Sequence, residues 1–193
     1  MMKINVILLA AGNSSRVQPN KLLEYINSKP MYMNAVEKVL KLNFNKIILV
    51  TQYKEIKEAL SDKPILVIMN EDSEKGLSYS IEIGIRADME ADAYMFMVCD
   101  EPFLTLDSIT KLIDAFLESD KGIASFKYKG ALGNPNIFSQ KYLDELLDLE
   151  GDFGGKFVIR NHMDDVEIVV IDNEEEITDI DTIEELQQLN LRK

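Results

Sequence analysis

The chain has 193 residues, 46% of them apolar, and carries 21 basic against 34 acidic side chains for a formal net charge of −13. That length suits one domain over residues 1–193 and buries about 70% of the surface an unfolded chain exposes, which excludes disorder of the whole. A surface this acidic repels the phosphates of nucleic acid and anionic lipid, whereas a small phosphorylated ligand needs only a few local cations.

In chain order, Ile4–Leu9 is a nearly unbroken apolar run, as in a strand buried on both faces. Met31–Leu42 follows as an amphipathic helix with Val36, Val39 and Leu40 on one stripe and Ala35 beside it. Lys46–Thr51 is a second strand, Lys54–Leu60 a short helix and Ile65–Met69 a third strand. Leu77–Met89 places Ile81, Ile85 and Ala87 near one helical face. Ala93–Cys99 is another strand. Leu106–Glu118 groups Ile109, Leu112, Ile113, Phe116 and Leu117, with Thr105 as the expected N-cap. Ile123–Phe126 and Val166–Ile171 read as strands, Gln140–Leu149 and Thr182–Leu191 as helices. There is no internal repeat, low-complexity segment or linker. Alternating strands and helices imply βαβ crossovers, hence a three-layer αβα architecture around a mainly parallel sheet. In such sheets the ligand lies beyond the carboxyl ends of the strands.

The single cysteine, Cys99, excludes an internal disulfide, and one histidine leaves almost no room for a Cys/His zinc site. Cys99 continues an apolar strand and reads as a core residue. His162 has no evident partner in sequence and is expected to be exposed. The Glu174–Glu176 run reads as a solvated turn. The apolar run after Lys3 is too short to span a bilayer and lacks a signal-peptide layout, so a soluble cytoplasmic protein is expected.

The loop after the first strand reads Ala10-Ala11-Gly12-Asn13-Ser14-Ser15-Arg16 and continues to Lys21. Small residues let a phosphate approach the backbone, consecutive N–H groups can form an anion-binding concavity, and Arg16 and Lys21 add cationic donors. A plain strand-to-helix turn with two surface cations is the alternative. The spacing is neither GxxxxGK[ST] nor GxGxxG. Asp100 follows a buried strand in Asp100-Glu101-Pro102, where a carboxylate needs a partner or a metal, or caps a turn. Beside a triphosphate that metal would be Mg²⁺, which prefers oxygen donors and phosphates. Asn70 closes the third strand, and Gly76, Ser78 and Ser80 open the next helix, suited to an anion or a base edge or to capping alone. Asp179 and Asp181 precede the last helix, where Asp181 or Thr182 is also a good N-cap.

LLAAGNSSRVQPNKLL resembles the signature LAAGxSxRMGxxKLL of nucleotidyltransferases with a glycosyltransferase-A-like fold, a Rossmann-like fold of nucleotide-diphospho-sugar transferases. The spacing of five from Arg16 to Lys21 matches, and Gln18 stands where the family has Gly. Further along, Asp100-Glu101-Pro102 resembles D-x-P, DIDTIEEL resembles DIDTPEDL, and Gly133-Asn134-Pro135 resembles GHP. Gly151-Asp152-Phe153-Gly154-Gly155-Lys156 resembles GDxGAR. Asn134 replaces a His and cannot titrate; Lys156 replaces an Arg and loses its fork. Asn70 with Gly76-Leu77-Ser78-Tyr79-Ser80 resembles the N…GLSSSL of molybdenum cofactor cytidylyltransferases, whereas guanylyltransferases of the superfamily have a segment closer to GPLAG.

The resemblance implies transfer of CMP from CTP to the phosphate of molybdopterin, with release of pyrophosphate. It implies catalytic Arg16, Lys21 and Asp100, and a nucleotide site of Ala10, Ala11, Gly12, Asn13, Ser14, Arg16, Lys21, Asn70, Gly76, Ser78 and Ser80. It implies Mg²⁺ on Asp100 and Asp181, with Asp179 the rival of Asp181, and an acceptor side of Asn134, Asp152 and Lys156. A molybdenum enzyme receiving the cofactor is the implied macromolecular partner. The rival expectations are GTP in place of CTP, a sugar or polyol phosphate acceptor, and a non-catalytic protein that binds nucleotide or molybdenum cofactor.

Overall fold

A computed structural model describes residues 2–12, 20–26 and 28–180. The strands are β1 (Ile4–Ala10), β2 (Tyr25–Ile26), β3 (Lys29–Pro30), β4 (Lys46–Thr51), β5 (Leu66–Met69), β6 (Ala93–Val98), β7 (Ile123–Tyr128), β8 (Ala131–Ser139) and β9 (Val166–Val170). The helices are α1 (Met31–Val39), α2 (Lys54–Ala59), α3 (Leu77–Arg86), α4 (Leu106–Glu118), α5 (Leu143–Leu147) and α6 (Gly155–Asn161). Seven strands form one sheet in the order β5-β4-β1-β6-β8-β7-β9, and β2 pairs with β3 in a small hairpin. Within the large sheet β8 is antiparallel to both neighbours, and every other pairing is parallel. From β1 the chain steps outward to β4 and β5, then returns to lay β6 on the other side of β1. That reversal of direction opens a crevice at the carboxyl ends of β1 and β6.

Strand alternation divides the core into two layers. Val6, Leu8 and Ala10 of β1 pack with Val36 and Val39 of α1, Ile56 of α2 and Leu112 of α4. Ile7 of β1 packs on the opposite face with Ile81 and Ile85 of α3, Leu146 of α5 and Ile159 of α6. The architecture is therefore the expected three-layer αβα. The α3 layer sits close to the sheet at Gly84, where a Cβ would fall 2.6 Å from Ile7 Cγ2 and 3.3 Å from Val50 Cγ2. Thr105 caps α4 as expected, its Oγ1 accepting from the Ser108 amide at 3.1 Å. Cys99 is buried.

Several expectations are corrected. Residues 131–139, to which the sequence pattern assigned no element, form β8. Gly133 and Pro135 argue against a central strand, but the β7–β8 register shifts between Ser125 and Lys127, so both fall at an irregularity where the ladder is already interrupted. Residues 155–161, to which the sequence pattern assigned no element, form α6, which Gly154 and Gly155 at its start hid. His162 has a partner: its Nε2 lies 2.9 Å from Glu145 Oε2 and its ring lies 4.9 Å from that of Tyr142. Glu176 is not simply solvated, because it accepts from the Thr105 amide at 3.0 Å and hydroxyl at 2.8 Å. The expected helix Thr182–Leu191 lies outside the described residues. Among the described residues no helix is long and apolar enough to cross a membrane.

Just before the edge strand β9, Asp165 joins three segments. Its carboxylate accepts from the Gly122 amide at 3.1 Å, from the Tyr142 hydroxyl and from Lys141 at 2.6 Å. Burial opposes its ionisation, but the bonds from Lys141, Tyr142 and Gly122 outweigh it and hold the carboxyl down at about 2. An acid pKa lower folded than unfolded gives stability that is complete above pH ~4 and lost as pH falls toward 2. Asp165→Asn is therefore expected to lower stability at pH 6, and the gap from the parent chain should close as pH falls from 4 to 2. Urea titrations across that range check this; a gap that stays constant would refute it.

Candidate active site

The loop leaving β1 is held by its carbonyls. Thr51 Oγ1 donates to Ala10 O at 3.0 Å, Gln52 Nε2 to Ala11 O at 3.0 Å, and the Tyr53 hydroxyl to Gly12 O at 2.9 Å. Three successive acceptors are thus engaged by the end of β4, and Ala11 and Gly12 line the crevice. Ala10 is buried behind them. Asn13, Ser14, Arg16 and Gln18 lie outside the described residues, as does Asp181.

Lys21 starts a short 3₁₀ turn whose Leu22 amide is capped by the Asn20 side chain at 3.0 Å. The turn presents the ammonium to the crevice, 2.9 Å from Asp100 Oδ2. The two side chains retain 19% and 25% exposure, so the pair faces the cleft yet is shielded enough to matter electrostatically. The turn carrying Asp100 is fixed through its backbone and neighbours. Asp100 O accepts from the Ile180 amide at 3.0 Å, Pro102 O accepts from Lys38 Nζ at 2.8 Å, and Glu101 Oε1 accepts from Asn134 Nδ2 at 3.2 Å. Burial pushes the Lys38 ammonium down to about 8.

Glu101, to which sequence gave no role, is 2% exposed. Burial, with the Asp179 carboxylate beside it, pushes its carboxyl up to about 9. The Asp179 carboxylate is also within hydrogen-bonding reach of that carboxyl, which favours its protonated form further. The Asp179 rival for metal binding thus lies next to the Asp100–Glu101 turn. Burial also pushes the Cys99 thiol well above its usual range, which fits a core residue and not a nucleophile.

The cleft has a volume of about 590 Å³, with Gly12, Lys21, Ser80, Asp100 and Asp152 on its walls. Gly76 also lines it, and its geometry brings two loops together. Its φ of +90° is one that L side chains rarely adopt, and a Cβ there would lie 2.3 Å from Gly151 O. The Ser78 amide donates to that same carbonyl at 3.0 Å. The Gly151–Asp152 turn is thereby seated on the start of α3. Ser80 reaches the cleft, while Asn70 sits behind it and donates to its hydroxyl at 2.9 Å. Asn70 and Ser78 are buried and do not line the cleft.

A second hollow of about 250 Å³ adjoins the first, with Leu9, Leu77, Val98 and Asp152 common to both. The β6–β8 ladder ends at Phe96 and Asn136, and this hollow opens beyond it. Asn134, Asp152 and Lys156, expected together, all line it. Asn134 is fixed in place: it donates to Glu101 and accepts from Asn136 Nδ2 at 3.1 Å, and Asn136 accepts from Ser125 Oγ at 2.6 Å. Arg160 also lines the hollow and was not singled out in sequence. Once α6 is known, its spacing of four from Lys156 identifies it.

Strand order, the β1 loop and the acidic turn after β6 together define a nucleotidyltransferase-type α/β domain. The chain belongs to the MobA-like NTP transferase domain family, whose model matches residues 6–166. It is 28% identical over 142 residues to the bifunctional protein GlmU of Buchnera aphidicola subsp. Schizaphis graminum, covering 72% of this chain and 31% of that protein. It is 29% identical over 127 residues to 3-deoxy-manno-octulosonate cytidylyltransferase of Francisella philomiragia, covering 65% of this chain and 50% of that enzyme. The chain thus spans between about a third and a half of the length of these curated relatives. In fold it is similar to Rv0371c of Mycobacterium tuberculosis H37Rv, with TM-score 0.86, 22% identity and 97% of each chain covered. A complex of Rv0371c with manganese aligns at TM-score 0.81.

Proposed function

We propose that this chain, as one domain over residues 1–193, is a divalent-metal-dependent nucleotidyltransferase. It would transfer CMP from CTP to the phosphate of a small acceptor, molybdopterin first, and release pyrophosphate. The observation that carries this reading is the Lys21–Asp100 pair, which faces a cleft continuous with a second hollow holding Lys156.

The donor chemistry suits a hard cation. Asp100 offers carboxylate oxygen at the cleft, and the Asp179 carboxylate lies beside its turn. Carboxylate oxygen suits Mg²⁺, which binds through one or two carboxylates and completes its shell with water and phosphate oxygens. Asp100 would hold it, with Asp181 or Asp179 as the second carboxylate; when bound, it would neutralise charge developing on the phosphates. The complex of Rv0371c with manganese supports a divalent metal in a protein of this fold.

Lys21 would turn from Asp100 to the triphosphate, joined by Arg16 and by the amides of Ala11 to Ser14. Ser80 would face base or ribose, with Asn70 and Ser78 supporting it and Gly76 admitting the ligand. Asn134, Asp152 and Lys156 would hold the acceptor so that its phosphate oxygen meets the α-phosphorus as the bond to the β-phosphate breaks. An ionised phosphate nucleophile needs no general base, so an Asn at position 134 is compatible with turnover. The Asn70 and Gly76–Ser80 segment supports CTP over GTP, as does the cytidylyltransferase among the relatives.

Thermal-shift titration with CTP, GTP, ATP and UTP, each with Mg²⁺ or Mn²⁺, tests the nucleotide. CTP with metal should stabilise most; a larger shift with GTP would overturn the choice of base. Pyrophosphate measured with molybdopterin, sugar phosphates and polyol phosphates then tests the acceptor. Nucleotide binding without pyrophosphate for any acceptor would make the chain a non-catalytic nucleotide- or cofactor-binding protein.

A further inference from the structure

Just past β4 stands a side chain that binds two separate stretches of the larger cleft's lining from behind. Gln52 is half-buried under the loop that leaves β1. Its Nε2 lies 3.0 Å from Ala11 O, 3.4 Å from Gly12 O and 3.4 Å from the Tyr53 hydroxyl. Its Oε1 lies 3.0 Å from Ser73 Oγ. Ala11 and Gly12 line the cleft from the β1 loop, and Ser73 and Glu74 line it from the 3₁₀ turn Ser73–Lys75 that precedes α3.

The chemistry of these partners fixes which end of the carboxamide faces which. Ala11 O and Gly12 O can only accept, so they take the N–H groups. The Tyr53 hydroxyl commits its proton to Gly12 O at 2.9 Å, so it too accepts from Nε2. Oε1 is left for Ser73, whose hydroxyl donates. A peptide unit is planar and trans, so a carbonyl drawn one way turns the amide of its own unit the other way. Holding Ala11 O against Gln52 therefore turns the Gly12 amide away from Gln52. A Cβ at Gly12 would meet nothing within 4 Å among the described residues, so the hydrogen bonds, not packing at that Cα, set the orientation. The Ser73 turn is fixed from its own side. The Lys75 amide donates to Asp72 O at 2.9 Å, the Asp72 amide to Asn70 Oδ1 at 3.0 Å, and Asn70 Nδ2 to Ser80 at 2.9 Å. Gln52 thus joins the loop read as the phosphate side to the segment read as the base or ribose side.

We propose that Gln52 is a positioning residue for the nucleotide: its carboxamide orients the Ala11–Gly12 peptide for the phosphates and ties it to the Ser73 turn, so that the two ends of the cleft are shaped together. This rests on the reading of that cleft as the nucleotide site. The role needs a carboxamide and not merely a side chain of that size. Glutamate keeps an acceptor for Ser73 but sets its other oxygen against two carbonyls, and methionine keeps the length but supplies no N–H.

Calorimetry on the full chain with CTP and with inorganic tripolyphosphate, each with Mg²⁺, tests it beside melting curves. Gln52→Met and Gln52→Glu should each weaken both ligands by about tenfold, Gln52→Glu the more, as expected when acceptors lose their donor. Ser73→Ala should weaken CTP more than tripolyphosphate. In the Gln52→Met background the same change should cost little, because the two residues act through one bond. Ser73→Thr, which keeps the hydroxyl, should recover the loss. Gln52 variants that bind CTP like the parent overturn the proposal, and so does strict additivity of the Ser73 and Gln52 changes, which a merely structural role would give. Should the Gln52 variants fail to fold, the Ser73 pair decides, and equal CTP binding by Ser73→Ala and Ser73→Thr overturns it. CTP binding by the parent with none of these losses removes the role of Gln52 and leaves the nucleotidyltransferase. Tripolyphosphate binding without CTP binding removes the nucleotide reading, and the Gln52 losses are then read on tripolyphosphate.

Discussion

Asp100→Ala is expected to reduce pyrophosphate release by about 10²-fold or more while leaving the fold intact, the loss typical of removing one key electrostatic group. The bonds that hold its turn do not use its side chain. Ile180 binds the Asp100 carbonyl, Lys38 binds the Pro102 carbonyl, and Asn134 binds Glu101. The carboxylate itself faces the cleft at 25% exposure, paired with Lys21, so its removal leaves no cavity and no buried orphan in the core. Pyrophosphate measured with CTP and metal, beside circular dichroism and a melting curve, provides the check. Near-normal release by a folded variant would remove Asp100 from the proposed metal site.

Gly76→Ala should harm both halves of the site at once. A φ of +90° with ψ of −171° lies in a region essentially reserved for glycine, and forcing another residue there costs about 1–3 kcal/mol. The contact adds to this cost, because a Cβ would sit 2.3 Å from the Gly151 carbonyl oxygen, which is backbone and cannot swing aside. Relief requires the 151–152 turn to move off the start of α3. Asp152 lines both hollows, so nucleotide and acceptor binding should each weaken by about tenfold or more, with a lower melting temperature. Tenfold is the effect of ~1.4 kcal/mol, within the expected strain. A variant that melts and binds CTP like the parent would show that the turn has no such dependence.

What sequence reveals here follows from how each element is stabilised. β1, β4 and β6 are buried on both faces and read as unbroken apolar runs, and α4 carries a clean stripe with its own cap, so these are visible at short range. β8 is not, because Gly133 and Pro135 are tolerated only at an irregularity that its partner β7 creates. α6 is hidden by Gly154 and Gly155, small because the Leu77 and Phe138 side chains press against them, a tertiary reason absent from local pattern. Residues with a chemical signature were legible: Lys21 and Asp100 come together across 79 positions, and Asn134, Asp152 and Lys156 share one hollow. Glu101 was not, since only the packed turn shows that it is buried against Asn134 and Asp179. Asn70 and Ser78 illustrate the converse, residue types suited to a ligand that the fold places behind the wall.

The reversed direction of β8 has a bearing on how this fold diversifies. Parallel strands deliver their loops to the crevice from separate stretches of chain, so the larger cleft draws on residues from Leu9 to Asp152. The polar side chains of the second hollow, Asn134, Asn136, Asp152, Lys156 and Arg160, come instead from a single interval of chain, while its apolar floor is shared with β1, α3 and β6. On the reading proposed above, the nucleotide is a scattered inheritance that changes only by many coordinated steps. The polar contacts to the acceptor are instead gathered in one interval, so exchange of that interval changes most of them at once.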